Sequence, residues 1–211
     1  MKISQLHYIT ASPEQAEAAC RAGVDWVQLR VKNRNTADWK ALALETLAVC
    51  RQYNARLIIN DNVTLAAELG ADGVHVGKED LPVAEARRRL GDSVIIGGTA
   101  NTLDDIRAHH AAGADYIGLG PYRFTTTKEK LSPILGLEGY RHLLTTCSSE
   151  GISLPIIAIG GIEVDDVPAL LREGVHGIAV SGAITREPAS QVPAFWQAIQ
   201  TATSFSILEN R

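Results

Sequence analysis

Ala22-Gly23-Val24-Asp25, Leu69-Gly70-Ala71-Asp72, Ala112-Gly113-Ala114-Asp115 and Glu173-Gly174-Val175-His176 are four versions of one turn. Each precedes a short run rich in apolar residues, at 26–31, 73–76, 116–119 and 177–180. Helical stretches lie on the other side of this turn, and a glycine at a helix end enters the left-handed conformation with no Cβ to clash. Four further apolar runs, at 6–10, 57–60, 94–97 and 156–159, alternate with the first four. Stretches of helical character at 13–22, 36–52, 83–90, 103–112 and 164–172 lie between them. Continuously apolar strands alternating with helices indicate a parallel sheet covered on both faces. A turn repeated before every even strand makes the expected fold an α/β protein, a (β/α)8 TIM barrel. An open doubly wound sheet is the alternative.

The chain has 211 residues, 45% hydrophobic and 21% charged. Eight units leave about 26 residues each, near the short limit for this barrel. No composition shift or Pro/Gly/Ser-rich linker divides the sequence, so residues 1–211 are expected to form one domain. The formal net charge of −4 excludes a generally basic, nucleic-acid-coating protein but leaves room for a local cationic pocket. No apolar run approaches the roughly 20 residues that cross a bilayer. Met1-Lys2-Ile3-Ser4 lacks a signal-peptide profile. Cys20, Cys50 and Cys147 are odd in number and widely spaced, which argues against a disulfide framework or zinc cluster. They are expected to pack as small hydrophobes in a cytoplasmic protein.

Active sites of such barrels stand at the carboxyl ends of the strands. In Trp26-Val27-Gln28-Leu29-Arg30-Val31-Lys32, side chains alternate faces. Val27, Leu29 and Val31 would meet helices, and Gln28, Arg30 and Lys32 would face the barrel axis toward its mouth. The two cations suit a phosphorylated ligand, or else internal ion pairing with Asp61 or Asp80. Asp61 ends the third strand and Asp80 follows the fourth. Two carboxylates beside cations suggest Mg²⁺, which takes one or two carboxylates plus phosphate oxygens and water. The plainer role for Asp80 is to cap the helix beginning near Pro82. Gly97-Gly98-Thr99-Ala100-Asn101 offers a hydroxyl, or only a helix cap.

Residues 120–133, after the sixth strand, form the longest irregular stretch, with three hydroxyls leading into Lys128. Long loops in compact domains are usually functional or disordered, and this one reads as a lid over an anion. Gly160-Gly161 after strand seven and Ser181-Gly182 after strand eight allow backbone N–H groups to approach a phosphate at helix N-termini. His109, His110 and His142 read as solvated helix positions, and His7 and His176 as structural. His75, inside the fourth strand, remains open. Two anion sites and a metal, without a poised base or nucleophile, suit a transferase or lyase acting on a pyrophosphate ester.

The series Gln28-Leu29-Arg30-Val31-Lys32, Ile59-Asn60-Asp61, Ala71 through Asp80, Gly118-Leu119-Gly120-Pro121, Thr125-Thr126-Thr127-Lys128 and Ala158-Ile159-Gly160-Gly161-Ile162 resembles the motifs of thiamin phosphate synthases, in that family's order. The resemblance implies joining of 4-amino-2-methyl-5-pyrimidinylmethyl diphosphate to 4-methyl-5-(2-phosphoethyl)thiazole, with release of pyrophosphate. A carboxylated thiazole is an alternative acceptor. By position, Gln28, Arg30, Lys32, Asn60, Thr99 and Lys128 would hold the pyrimidine diphosphate, and Arg30, Lys32 and Lys128 would act on its leaving group. Asp61 and Asp80 would bind Mg²⁺. Thr125, Thr127, Gly161, Ser181 and Gly182 would hold the thiazole phosphate. Thr99 stands where the family usually has Ser, Asn101 where His is frequent, Asn62 where Arg is common and Lys78 where Gln is frequent. The partners expected are two phosphorylated small molecules, neither nucleic acid nor membrane, with a homo-oligomer left open. Rival readings are a related thiazole tautomerase on the same barrel, another phosphate-binding barrel isomerase, and a ligand-binding protein without turnover.

Overall fold

The computed structural model describes residues 2–32, 34–125 and 132–209, with side chains described as far as Ser204. Eight parallel strands close into a barrel in sequence order. They are β1 (Leu6–Thr10), β2 (Trp26–Leu29), β3 (Arg56–Asn60), β4 (Gly73–Val76), β5 (Ile95–Ala100), β6 (Tyr116–Leu119), β7 (Ile156–Ile159) and β8 (Gly177–Val180). Strand β8 pairs back to β1 through Leu6 with Ile178 and Tyr8 with Val180. The connecting helices are α1 (Pro13–Arg21), α2 (Thr36–Gln52), α3 (Val63–Leu69), α4 (Val83–Leu90) and α5 (Leu103–Ala111). They continue with α6 (Gly136–Ser149), α7 (Val167–Arg172), α8 (Gly182–Arg186) and α9 (Pro188–Glu209). None of them is long and apolar enough to cross a membrane. The (β/α)8 barrel is therefore the fold, and the open sheet is excluded by the β8–β1 ladder.

The repeated turn has a structural task at all four places. Gly23, Gly70, Gly113 and Gly174 all have positive φ, the conformation that requires glycine at a helix end. The residue two positions on then ties the turn to the neighbouring strand or to the segment that leads into it. Asp72 accepts from Leu57 N–H at 2.9 Å, and Asp115 from Ile96 N–H at 2.7 Å. Asp25 accepts from the Ser4 hydroxyl at 2.6 Å, and His176 Nε2 bonds Ile3 O at 3.0 Å. Each even strand is thus latched at its start to the element beside it, and the last latch helps to close the ring.

Three boundaries differ from expectation. Strand β2 ends at Leu29 because β1 ends at Thr10, whose carbonyl accepts from Arg30 N–H at 2.8 Å as the last rung. Arg30 and Lys32 therefore stand above the ladder. Strand β5 runs on to Ala100, which places Thr99 on the strand. The segment 164–172 opens with a single 3-10 turn, Val164–Asp166, before α7. Pro168 has no N–H to continue an α-helical ladder back across that point.

Alternation along the strands sorts the apolar residues into two cores. Val27, Leu29, Leu57, Ile59, Ile117 and Leu119 pack outward against the helices. Ile9, Trp26, Ile58, Ile95, Tyr116 and Ile157 fill the barrel. Inside, His7 stacks on Trp26 with ring centroids 4.3 Å apart, and Tyr116 meets both rings edge-on at 5.2 and 5.6 Å. Burial holds His7 well below its usual pKa, so it is a neutral, structural imidazole as expected. These rings fit because small residues face them. A Cβ at Gly97 would lie 2.2 Å from Tyr116 Cζ and 2.6 Å from His75 Nδ1. Cys20, Cys50 and Cys147 are buried free thiols.

At Gly73, near the floor of the barrel, a Cβ would meet Ile95 O at 2.5 Å and Ile58 Cδ1 at 2.8 Å. Backbone cannot yield as a side chain can, so Gly73→Ala is expected to destabilise the fold by about 1–3 kcal/mol. Urea unfolding measures this, and an unchanged midpoint would contradict the packing described.

Candidate active site

The polar residues gather at the carboxyl ends of β2 to β5. Gln28 Nε2 donates to Asn60 Oδ1 at 2.8 Å across β2 and β3. Both side chains are buried, at 4% and 5% exposure. Each amide is therefore fixed by the other, with little solvent to compete. The residue after β3, Asp61, has φ of 65°, a conformation that costs a non-glycine residue on the order of 1 kcal/mol or more. It is held there by its own N–H, which donates to His75 O at 2.8 Å, and by Asn62 N–H, which donates to Asn60 O at 2.8 Å. The Asn62 side chain, meanwhile, accepts from Leu65 N–H at 2.9 Å and caps α3.

This turn brings Asp61 against Lys32, 2.8 Å away, and against the carboxyl of Asp80. Asp80 Oδ2 accepts from Gly77 N–H at 2.7 Å. The cap of α4 is Pro82, without a side-chain bond, so Asp80 does not take the capping role. Burial opposes ionisation of Asp61, but the hydrogen bond from Asp80 and the ammonium of Lys32 outweigh it and lower its pKa. Asp80 is pushed above the usual carboxylate range by burial and then by Asp61. Two carboxyl groups so close share a proton, or else need a cation between them. No group of three or more His, Cys, Asp or Glu positioned for a metal occurs among the described residues. The pair thus suits an ion that leaves its other positions to water and phosphate, as Mg²⁺ does. The expected cationic wall is also an ion pair, because Lys32 faces Asp61 directly.

On β5, Thr99 Oγ1 lies 2.9 Å from His75 Nε2. It does not cap α5; Thr102 does, in a capping box with Asp105. His109 corrects an expectation. Its Nε2 bonds the carbonyl of Thr99 at 2.9 Å, and its ring occupies the space outside Gly98. It is a strand-end anchor, because Gly98 has no side chain to keep the ring off the sheet. Asn101 is buried, and its Nδ2 donates to Gly120 O at 3.0 Å and to Pro133 O at 2.9 Å. It joins the two ends of the segment after β6, a role the sequence did not suggest. Lys78 pairs with Asp105 at 2.6 Å.

The far side of the mouth is built from β6, β7 and β8. Tyr122 N–H donates to Ile159 O at 2.8 Å and Arg123 N–H to Gly160 O at 3.0 Å. The chain after β6 is so drawn along the end of β7 as far as Phe124. Gly161 permits this approach: its φ is 68°, and a Cβ there would lie 2.4 Å from Arg123 Cγ. Thr126, Thr127 and Lys128 lie outside the described residues, and with them most of the expected lid. Ser181 follows β8, and α8 starts at Gly182. Only this one of the two expected helix N-termini directly adjoins a strand end. Arg186, which the sequence reading passed over, lies 3.6 Å from Glu163 and 3.5 Å from the point a Gly182 Cβ would occupy. It adds a cation to this side.

A family model described as thiamine monophosphate synthase matches residues 3–184. The chain is 52% identical over 175 residues to a thiamine-phosphate synthase of Bacteroides fragilis, covering 83% of this chain and 86% of that one. It is 48% identical over 190 residues to that of Flavobacterium johnsoniae, covering 90% of both. Its fold matches the thiamine phosphate pyrophosphorylase of Pyrococcus furiosus with a TM-score of 0.82 and 28% identity, over 94% of this chain and 96% of the other. A 3-hexulose-6-phosphate synthase at 19% identity and a TM-score of 0.64 shares the barrel alone.

The carboxyl pair carries a prediction of its own. Asp80→Asn removes a carboxyl whose ionisation is opposed first by burial and then by Asp61, so without divalent metal the variant should melt above the parent protein. Adding Mg²⁺ should raise the parent's Tm through binding to the folded state and leave the variant's unchanged. An equal Mg²⁺ shift in both proteins would remove Asp80 from the metal site.

Proposed function

Because the chain belongs to the thiamine monophosphate synthase family, we infer that it is the transferase that makes thiamin phosphate. It joins the 4-amino-2-methyl-5-pyrimidinylmethyl group of a diphosphate ester to a 4-methyl-5-(2-phosphoethyl)thiazole and releases pyrophosphate. The observation that carries the site reading is the meeting of Lys32, Asp61 and Asp80 beside the locked Gln28–Asn60 pair at one end of the barrel.

In this reading, Gln28 and Asn60 present fixed amide groups to the pyrimidine diphosphate. Arg30 and Lys32, with Lys128 beyond the described residues, gather positive charge about the diphosphate. Asp61 and Asp80 would hold Mg²⁺, which when bound adds positive charge to the diphosphate oxygens. The C–O bond of the ester breaks with its electron pair leaving on pyrophosphate. The thiazole nitrogen then supplies the pair for the new C–N bond and becomes the thiazolium cation. No proton is removed, which accounts for a site without a poised base. Thr125, Gly161, Ser181 and Gly182, with Thr127 beyond the described residues, would hold the second substrate's phosphate. The protein's task is to stabilise the departing charge and hold the partners in line. Three buried free thiols suit a reducing, cytoplasmic setting.

Purified protein given both substrates and Mg²⁺ should form thiamin phosphate and pyrophosphate in equal amounts. No product at saturating concentrations would overturn this function. Asp61→Ala and Asp80→Ala should each lower kcat by about 10²- to 10³-fold, the usual effect of losing one charge-stabilising group. Wild-type turnover in either would remove the assignment. Lys128→Ala should lower kcat while leaving the thiazole KM near the parent value, and the opposite pattern would place Lys128 in the other subsite.

A further inference from the structure

Inside the barrel, below the mouth, three polar side chains form a line. Tyr116 on β6 is 1% exposed, and its hydroxyl lies 3.0 Å from His75 Nδ1. His75 on β4 is 7% exposed, and its Nε2 lies 2.9 Å from Thr99 Oγ1 on β5. Space for this line is made by two glycines, Gly97 on β5 and Gly118 on β6. A Cβ at Gly97 would strike Tyr116 and His75, and one at Gly118 would come within 2.9 Å of His75 Cε1. Such clearance around a polar chain in a barrel otherwise filled largely with Ile and Trp implies that its exact placement matters.

The direction of the chain follows from counting donors. The only hydrogen bond recorded for the Tyr116 hydroxyl among the described residues is that to His75 Nδ1. A buried hydroxyl proton without an acceptor costs about 1–3 kcal/mol. Tyr116 must therefore donate, and burial raises its pKa, which keeps the proton on it. Nδ1 is then the acceptor of the neutral ring, so the ring proton sits on Nε2. Nε2–H donates to Thr99 Oγ1, and this occupies one lone pair of the threonine oxygen. The hydroxyl hydrogen of Thr99 is left to point away from His75.

We propose that His75 is a positioning residue which, oriented by Tyr116, turns Thr99 into an obligate hydrogen-bond donor toward the diphosphate substrate. An undirected hydroxyl could equally present a lone pair, which would repel an anion. Fixing the donor before the substrate arrives removes that orientation and its cost from binding. The proposal rests on the reading of Thr99 as a contact of the pyrimidine diphosphate, and the test separates the two.

Four proteins suffice: the parent, Thr99→Ala, Tyr116→Phe and the double variant, each measured for KM of both substrates and kcat. Thr99→Ala should raise the diphosphate KM about 10- to 100-fold, the usual value of a hydrogen bond to a charged group, and Thr99→Ser should restore it. Tyr116→Phe should raise the same KM three- to tenfold in the parent and not at all in the Thr99→Ala background. The thiazole KM should stay constant throughout. If Thr99→Ala has no effect, the contact itself is wrong and the proposal falls with it. If Thr99→Ala acts but Tyr116→Phe has the same effect in both backgrounds, the contact stands and the relay is overturned. Should Tyr116→Phe fold poorly, the ¹⁵N spectrum of the parent imidazoles decides. The signal lost in His75→Gln should show an unprotonated Nδ1 and a protonated Nε2, and the reverse tautomer would overturn the proposal.

Discussion

The phenol of Tyr116 stands where the packed half of the barrel meets its polar half. Its ring closes the aromatic floor against His7 and Trp26. Its hydroxyl bonds His75, the first polar layer beneath the mouth. Both contacts require that Gly97, its neighbour across the β5–β6 ladder, carry no side chain. A barrel of eight short strands has little interior, and each inward position must be filled by one large group or left to a neighbour's. Here that rule separates support from chemistry along the barrel axis: bulky groups lie low, amides and hydroxyls lie high, and charges stand at the rim.

The rim keeps its charges in tension. Asp61 is strained and Asp80 sits against it, with Lys32 paired to Asp61. A fold selected for stability alone would not hold one carboxyl group on a left-handed turn and set a second against it. Strain and like charge collected at one place are the mark of a site that trades stability for binding. The opposite rim is quieter. Gly161 and the backbone of Tyr122 and Arg123 bring the chain after β6 onto the end of β7, and Asn101 joins the two ends of that segment. This is the rim at which the second phosphorylated substrate is proposed to bind.

The placement of much of the candidate site was legible in the sequence because strand ends are local. Once the eight strands are counted, Gln28, Asn60, Asp61, Asp80, Thr99 and Ser181 fall near the barrel mouth by alternation and order alone. Three things were not legible. Arg30 and Lys32 were expected on the strand and stand above it, because the length of β1 decides where the pairing of β2 stops. His109 was expected in solvent and bonds the backbone of β5, because a helix approaches a glycine more closely than periodicity can tell. Asn101 reads as a cap and acts as a clamp, because both of its acceptors come from a segment 19 or more residues away.

The sequence by itself determined the number of strands, their parallel order and the turn that starts every second one. These depend on a local code: apolar runs of a few residues, a glycine that must take positive φ, and an acidic residue or histidine beside it. Only the tertiary structure decided which groups face one another. The pairing of Asp61 with Asp80, the line from Tyr116 through His75 to Thr99, and the closure of β8 on β1 all join residues from different strands. Their distances are set by the register and curvature of the closed sheet, which no single segment carries. The four-part repeat announced a ring, and the ring's closure brought the chemistry together.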